Sequence, residues 1–73
     1  MRVNEMRYAV VIEKAKRNYS AYVPDLPRCV ATGKSVRRVE SEIRKAIRFH
    51  LDGLLEDGLP IPEPAAVCEY VEA

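Results

Sequence analysis

Cys29-Val30-Ala31-Thr32-Gly33-Lys34-Ser35-Val36 is the stretch in which this chain changes its repeat, and that change decides the fold. Up to Gly33 the residues are short, β-branched and bounded by Pro27 and the glycine, which reads as a strand. Ser35 then supplies a side-chain oxygen where a helix needs its N-cap. Beyond it, Val36, Val39, Ile43, Ala46, Ile47, Leu51, Leu54 and Leu55 recur at steps of three and four. That spacing lays one apolar stripe along an amphipathic helix. Arg37, Arg38, Glu40, Glu42, Arg44, Lys45, Arg48 and Asp52 fall mostly off the stripe. Gly58 and Pro60 stop the helix, and Gly53 weakens its last turn by about 1 kcal/mol relative to alanine.

Working upstream, Arg7-Tyr8-Ala9-Val10-Val11-Ile12-Glu13 and Tyr19-Ser20-Ala21-Tyr22-Val23 read as two strands. The polar Lys14–Asn18 turn joins them as a hairpin. Pro24-Asp25-Leu26-Pro27 ends the second, because proline has no N–H to give to a ladder. Downstream, Pro60-Ile61-Pro62-Glu63-Pro64 is a stiff extended connector, and Ala66-Val67-Cys68-Glu69-Tyr70-Val71 reads as a final strand. The order is βββαβ. A strand reached through a crossover helix lies parallel to one already in the sheet. The expected fold is therefore α+β, a four-stranded sheet in order 3-2-1-4 with one helix on one face. Cys29 and Cys68 would then sit on opposite outer strands, too far apart to bridge.

Length and composition bound what such a fold does. The chain has 73 residues, 48% of them hydrophobic and 32% charged, with a net charge of +1. One globular domain is expected, residues 1–73 with a core over about 6–71 and no C-terminal DNA-binding domain. The balanced charge argues against a dedicated nucleic-acid binder, whose affinity rests on phosphate contacts. No run of about 18 apolar residues offers a membrane span. The charged start Met-Arg-Val-Asn-Glu-Met-Arg is unlike a signal peptide, so the expected compartment is the cytoplasm. The two cysteines form neither a disulfide scaffold nor a zinc motif, and each reads as a small buried hydrophobe.

Chemistry-bearing patterns are few. Gly33-Lys34-Ser35 resembles the end of a phosphate-binding loop, but the glycine that motif needs five residues earlier is Arg28. Gly33 reads better as a strand end and Ser35 as a cap. His50 has no nucleophile or orienting carboxylate at helical spacing, since Asp52 lies on another side of the helix. Glu13, Glu40 and Glu42 do not assemble into a magnesium site of the kind a nuclease requires. No cofactor, metal or catalytic residue is expected. The helix arginines are interleaved with Glu40, Glu42 and Asp52, with Glu40 and Arg44 a favourable i,i+4 pair, so they read as a solvated face.

The strands carry the stronger functional signal. Tyr8, Val10 and Ile12 share one face of the first, Ala9 and Val11 the other. In the second, Tyr19, Ala21 and Val23 oppose Ser20 and Tyr22. One helix covers one face, so the uncovered face of the sheet retains apolar content and is expected to meet a partner or a second copy.

The segment Tyr19-Ser20-Ala21-Tyr22-Val23-Pro24-Asp25-Leu26-Pro27, the following Cys29–Ser35 run, the helix through Ala46-Ile47-Arg48-Phe49-His50-Leu51 and the exit Asp57-Gly58-Leu59-Pro60-Ile61-Pro62-Glu63-Pro64 together resemble the N-terminal domain of HicB-type antitoxins and related small HicB-like proteins. The resemblance implies a partial ribonuclease-H-like fold without catalytic acids. It further implies an antitoxin that masks a HicA-type toxin, a small mRNA-cleaving ribonuclease, and that forms dimers or higher oligomers. Arg28 stands where the family usually has glycine. On this reading Tyr19, Tyr22, Asp25 and Leu26 are the candidate partner contacts, aromatic anchors beside a carboxylate. Pro24, Pro27, Gly33 and Ser35 shape the backbone. The rival readings are a stand-alone oligomeric domain with a different protein partner and a weak nucleic-acid-binding module using the helix arginines.

Overall fold

A computed structural model describes residues 6–72. Three short strands, β1 (Val11–Lys14), β2 (Tyr19–Tyr22) and β3 (Val30–Gly33), precede one long helix, α1 (Val36–Glu56). The strands form an antiparallel sheet in the order β1-β2-β3. The β1–β2 hairpin closes with the Ala15 N–H donating to the Asn18 carbonyl at 2.8 Å.

The β2–β3 connection is a pair of consecutive turns. The Leu26 N–H donates to the Val23 carbonyl at 3.1 Å, and the Cys29 N–H donates to the Leu26 carbonyl at 3.0 Å. Pro27 and Arg28 are the central residues of the second turn, and Arg28 has φ 82°. Proline first and a positive φ second is the type II pattern, which favours glycine at the second place. The Val23 N–H then donates to the Cys29 carbonyl at 3.3 Å and closes the loop.

The helix is stopped at both ends as the sequence predicts. The Ser35 Oγ accepts from the Arg38 N–H at 3.1 Å. At the other end Gly58 takes φ 67°. The Gly58 N–H donates to the Leu55 carbonyl at 3.1 Å and the Leu59 N–H to the Leu54 carbonyl at 2.9 Å. This is the Schellman arrangement, which satisfies the last helical carbonyls.

The helix packs on β2 and β3. The core between them is Ala21, Val23, Leu26, Cys29, Val39, Ile43 and Leu51, with Tyr8, Val10, Ile12, Tyr19 and Ile61 against it. Tyr8, Val10 and Ile12 thus share the helix-facing side, as the alternation requires. Val36 and Leu55, assigned to the apolar stripe, are exposed at its two ends.

The expected fourth strand does not form. The sheet has three strands among the described residues, so the 3-2-1-4 order reduces to β1-β2-β3, and residues 66–72 follow as irregular chain. The reason lies in where the exit is tied. The Tyr8 hydroxyl donates to the Pro62 carbonyl. The Ala65 and Ala66 N–H groups both donate to the Asp25 Oδ2, at 3.1 and 3.0 Å. Asp25 belongs to the β2–β3 connection, so the chain at Ala66 stands off the end of β2. A strand exists only where a neighbour accepts its hydrogen bonds, and the open edge of β1 lies on the opposite side of the sheet from β3. Val67, Tyr70 and Val71 are consequently exposed.

Candidate protein-binding interface

The face of the sheet turned away from α1 is organised by register. Val11 pairs with Tyr22, and Tyr22 pairs with Val30. These three side chains form one apolar row across all three strands. The next row is polar: Glu13 faces Ser20, and Ser20 faces Thr32. Cross-strand neighbours on one face lie close enough to act as one surface. Tyr22 is 43% exposed and Val30 65% exposed. An apolar row bordered by hydroxyls and a carboxylate is the composition of a protein-binding patch.

The four candidate contact residues do not gather on this patch. Tyr22 is on it. Tyr19 points the other way, half-buried against the core. Leu26, only 1% exposed, is a core residue. The Asp25 Oδ2 is taken up by the exit segment. The alternation places Tyr19 and Tyr22 on opposite faces, and the Val23–Cys29 turns fold Leu26 inward. Val11 and Val30 are the surface residues sequence reasoning missed. The register that aligns them with Tyr22 depends on loop geometry rather than on any local pattern.

Pro24 and Pro27 each take the second position of one of the two turns. Ser35 caps the helix. A Cβ on Gly33 would sit 2.8 Å from the Val39 backbone nitrogen, so glycine lets the end of β3 approach the first turn of α1. Ser35 and Gly33 are thereby accounted for without a phosphate.

A second concave feature lies on the other side of the sheet. Because α1 sits over β2 and β3, the inner side of β1 is only partly covered. A groove of about 520 Å³ runs between β1 and α1. Its floor includes Val10, Ile12 and Ile47, and its rim carries Arg7, Arg44, Arg48 and Glu40. The one ion pair among the described residues is Lys45 Nζ to Glu42 Oε1 at 3.5 Å. Arg44 therefore does not close the expected pair with Glu40.

Two groups have displaced acidities. Burial, and then the negative charges of Asp25 and Glu63, raise the Tyr8 phenol above its ordinary value. Burial likewise pushes the Cys29 thiol up. Its Sγ lies 3.7 Å from the Ala46 carbonyl oxygen, to which it donates. Cys29 is buried as expected; Cys68, expected to be buried too, is exposed on the irregular exit segment. Among the described residues no group of His, Cys, Asp and Glu converges as a metal site. No described helix is long and apolar enough to cross a membrane.

Comparison with known proteins gives this surface a context. The chain is 33% identical over 66 residues to a 14.9 kDa protein of the rep–hol intergenic region of Haemophilus phage HP1, covering 90% of this chain and 50% of that one. It is 43% identical over 49 residues to a UPF0150 protein of Helicobacter pylori, covering 67% and 68% of the two chains. A UPF0150 protein of Thermoplasma acidophilum is 34% identical over 62 residues, covering 84% and 90%. The chain thus spans half the length of the phage relative. No solved structure matches it significantly. The family model for the HicB-like antitoxin of bacterial toxin–antitoxin systems matches residues 8–73. A match over nearly the whole chain identifies this chain as a member of the HicB-like antitoxin family.

Proposed function

We propose that this chain is the antitoxin of a toxin–antitoxin pair and that it binds and occludes a HicA-type mRNA-cleaving toxin in the cytoplasm, with no chemistry of its own. Family membership supplies the general role. The observation that carries the mode of action is the Val11–Tyr22–Val30 row on the uncovered sheet face. A tyrosine flanked by two valines gives a broad apolar anchor, and the Glu13 carboxylate beside it suits a partner whose RNA-binding surface is basic. Tyr22 is the central contact on this reading. Asp25 acts indirectly, by holding the exit segment at the end of the sheet. Reading the three-stranded sheet and its helix as a partial ribonuclease-H-like fold belongs to the same proposal.

The test is co-expression with the neighbouring reading frame, followed by pull-down and an RNA-cleavage assay. Wild type should co-purify and suppress cleavage. Tyr22→Asp should lose both while its thermal melt stays within a few degrees of wild type, since Tyr22 is outside the core. Continued cleavage in a stable complex, or a fully active Tyr22→Asp complex, would overturn the proposal.

A further inference from the structure

We propose that the solvent side of α1 binds single-stranded RNA, with Arg37, Arg38, Arg44, Lys45 and Arg48 along its phosphates and Phe49 stacked on a base. The inference does not rest on toxin masking, since this side of the helix and the Val11–Tyr22–Val30 row are opposite outer surfaces of the molecule.

A net charge of +1 conceals a division along the chain. All 12 lysines and arginines fall at or before Arg48, and the residues after it carry acids and no further lysine or arginine. Helix geometry sharpens the division. At about 100° per residue, Arg37, Arg44 and Arg48 fall in one narrow row, and Arg38, Lys45 and Phe49 in the row beside it. Glu40 and Glu42 turn to the two flanks, Glu40 to the rim of the β1 groove and Glu42 toward β3. Asp52 and Glu56 come only past Phe49. The face from Arg37 to Phe49 is thus free of acid over about 18 Å. The sequence reading of a mixed, solvated face does not hold, because acids and bases that alternate along the chain separate around the helix.

Every cation on this face is exposed, and among the described residues only Lys45 enters an ion pair, with Glu42. The helix also carries charge against its own dipole. Arg37 and Arg38 stand in the first turn, which has no acid, and the last turn has no base. Such placement disfavours the helix, and it adds the positive end of the dipole to the field of the arginines. Phe49 selects among polyanions. It is 81% exposed and lies beside Lys45 and Arg48. A bare aromatic ring among cations is the pairing that holds single strands, because a base stacks on the ring while the cations follow the backbone. A duplex keeps its bases stacked on one another, whereas single-stranded RNA offers them unstacked.

The experiment is fluorescence anisotropy of a short labelled single-stranded RNA with the whole chain, titrated at rising salt. Wild type should bind, and log affinity should fall against log salt with a slope of about −2, as for about three neutralised phosphates. Arg44→Gln/Arg48→Gln should weaken binding by about tenfold and make the slope shallower by about 1.4. Phe49→Ala should weaken binding by about tenfold and leave the slope unchanged. Lys16→Gln/Arg17→Gln, which removes the same charge from the β1–β2 turn, should bind as wild type does. The substituted positions are exposed, and circular dichroism checks that each variant is folded. No binding at low salt would overturn the proposal and leave the face to an acidic protein. Binding to the matching duplex as tight as to the single strand, or an equal loss in the turn variant, would overturn it too. No toxin is present in the assay, so its outcome is separate from that of toxin binding.

Discussion

Gly33 and Val39 approach so closely that a Cβ on residue 33 would stand 2.8 Å from the Val39 backbone nitrogen and 3.1 Å from its Cα. The neighbours are backbone atoms of the first helical turn, held by the Ser35 cap and by the Val39 N–H donating to the Ser35 carbonyl at 2.9 Å. They cannot swing aside as a side-chain tip would. Gly33→Ala should therefore destabilise the domain by about 1–3 kcal/mol through overpacking. Gly53 is the internal control. A Cβ there meets nothing within 4 Å, so Gly53→Ala should stabilise by about 1 kcal/mol from helix propensity alone. Urea denaturation of the two variants should give shifts of opposite sign.

Arg28 is strained where glycine would not be. Its φ of 82° places a Cβ in the left-handed region, at a penalty of roughly 1–2 kcal/mol. Glycine would remove that penalty and give back roughly 0.4–1 kcal/mol as extra freedom of the unfolded chain. Arg28→Gly should then stabilise by about 0.5–1 kcal/mol, a rise of several degrees in Tm for a domain of this size. Arg28→Ala retains the Cβ and should show no comparable gain. Differential scanning calorimetry on the pair separates backbone strain from any effect of the lost charge.

The three strands and the helix were legible because each announces itself locally. Val30 and Thr32 alternate with smaller residues, Val39, Ile43 and Leu51 keep one helical stripe, and Ser35 and Gly58 mark its ends. Ala66–Val71 carries the same local signal, yet a strand also needs an edge to pair with, and Asp25 ties this segment elsewhere. The interface was legible to the same depth. Alternation separates Tyr19 from Tyr22 but does not tell which set the helix covers. The packing of α1 on β2 and β3 decides that, and it sends Tyr19 inward. Leu26 reads as a partner contact because it adjoins Asp25. The two turns that bury it depend on hydrogen bonds closing through Val23 and Cys29.

Tyr8 should make the domain sensitive to alkali. Burial and neighbouring negative charge raise its folded-state pKa above the ordinary 10.0. The folded state thus holds the phenolic proton more tightly than the unfolded chain. Its contribution is fully present below about pH 10 and is lost as pH rises through the raised value. The phenolate would also face Asp25 and Glu63, and it could no longer donate to the Pro62 carbonyl. Tyr8→Phe should cost about 0.5–1.5 kcal/mol at neutral pH, the net worth of one such hydrogen bond. The gap between variant and wild type should narrow above pH 10. Equal slopes of stability against pH for the two proteins between pH 9 and 11 would contradict this assignment.

The two cysteines should react at very different rates. Thiol reagents attack the thiolate, so both access and acidity matter. Cys29 is 3% exposed, lies in the core with its Sγ at the Ala46 carbonyl, and has its thiol pushed up by burial. Both effects slow it, and it becomes available only when the β3–α1 packing opens. Cys68 is exposed on the exit segment. With an aromatic disulfide reagent at pH 8, one thiol per chain should therefore react rapidly, a phase lost in Cys68→Ser, and the second only slowly, at once when the chain is denatured. The slow phase should accelerate in Gly33→Ala and slow in Gly53→Ala, because opening exposes Cys29 in proportion to lost stability. Fast uptake of two equivalents by the native protein would mean that Cys29 is not packed between the sheet and α1.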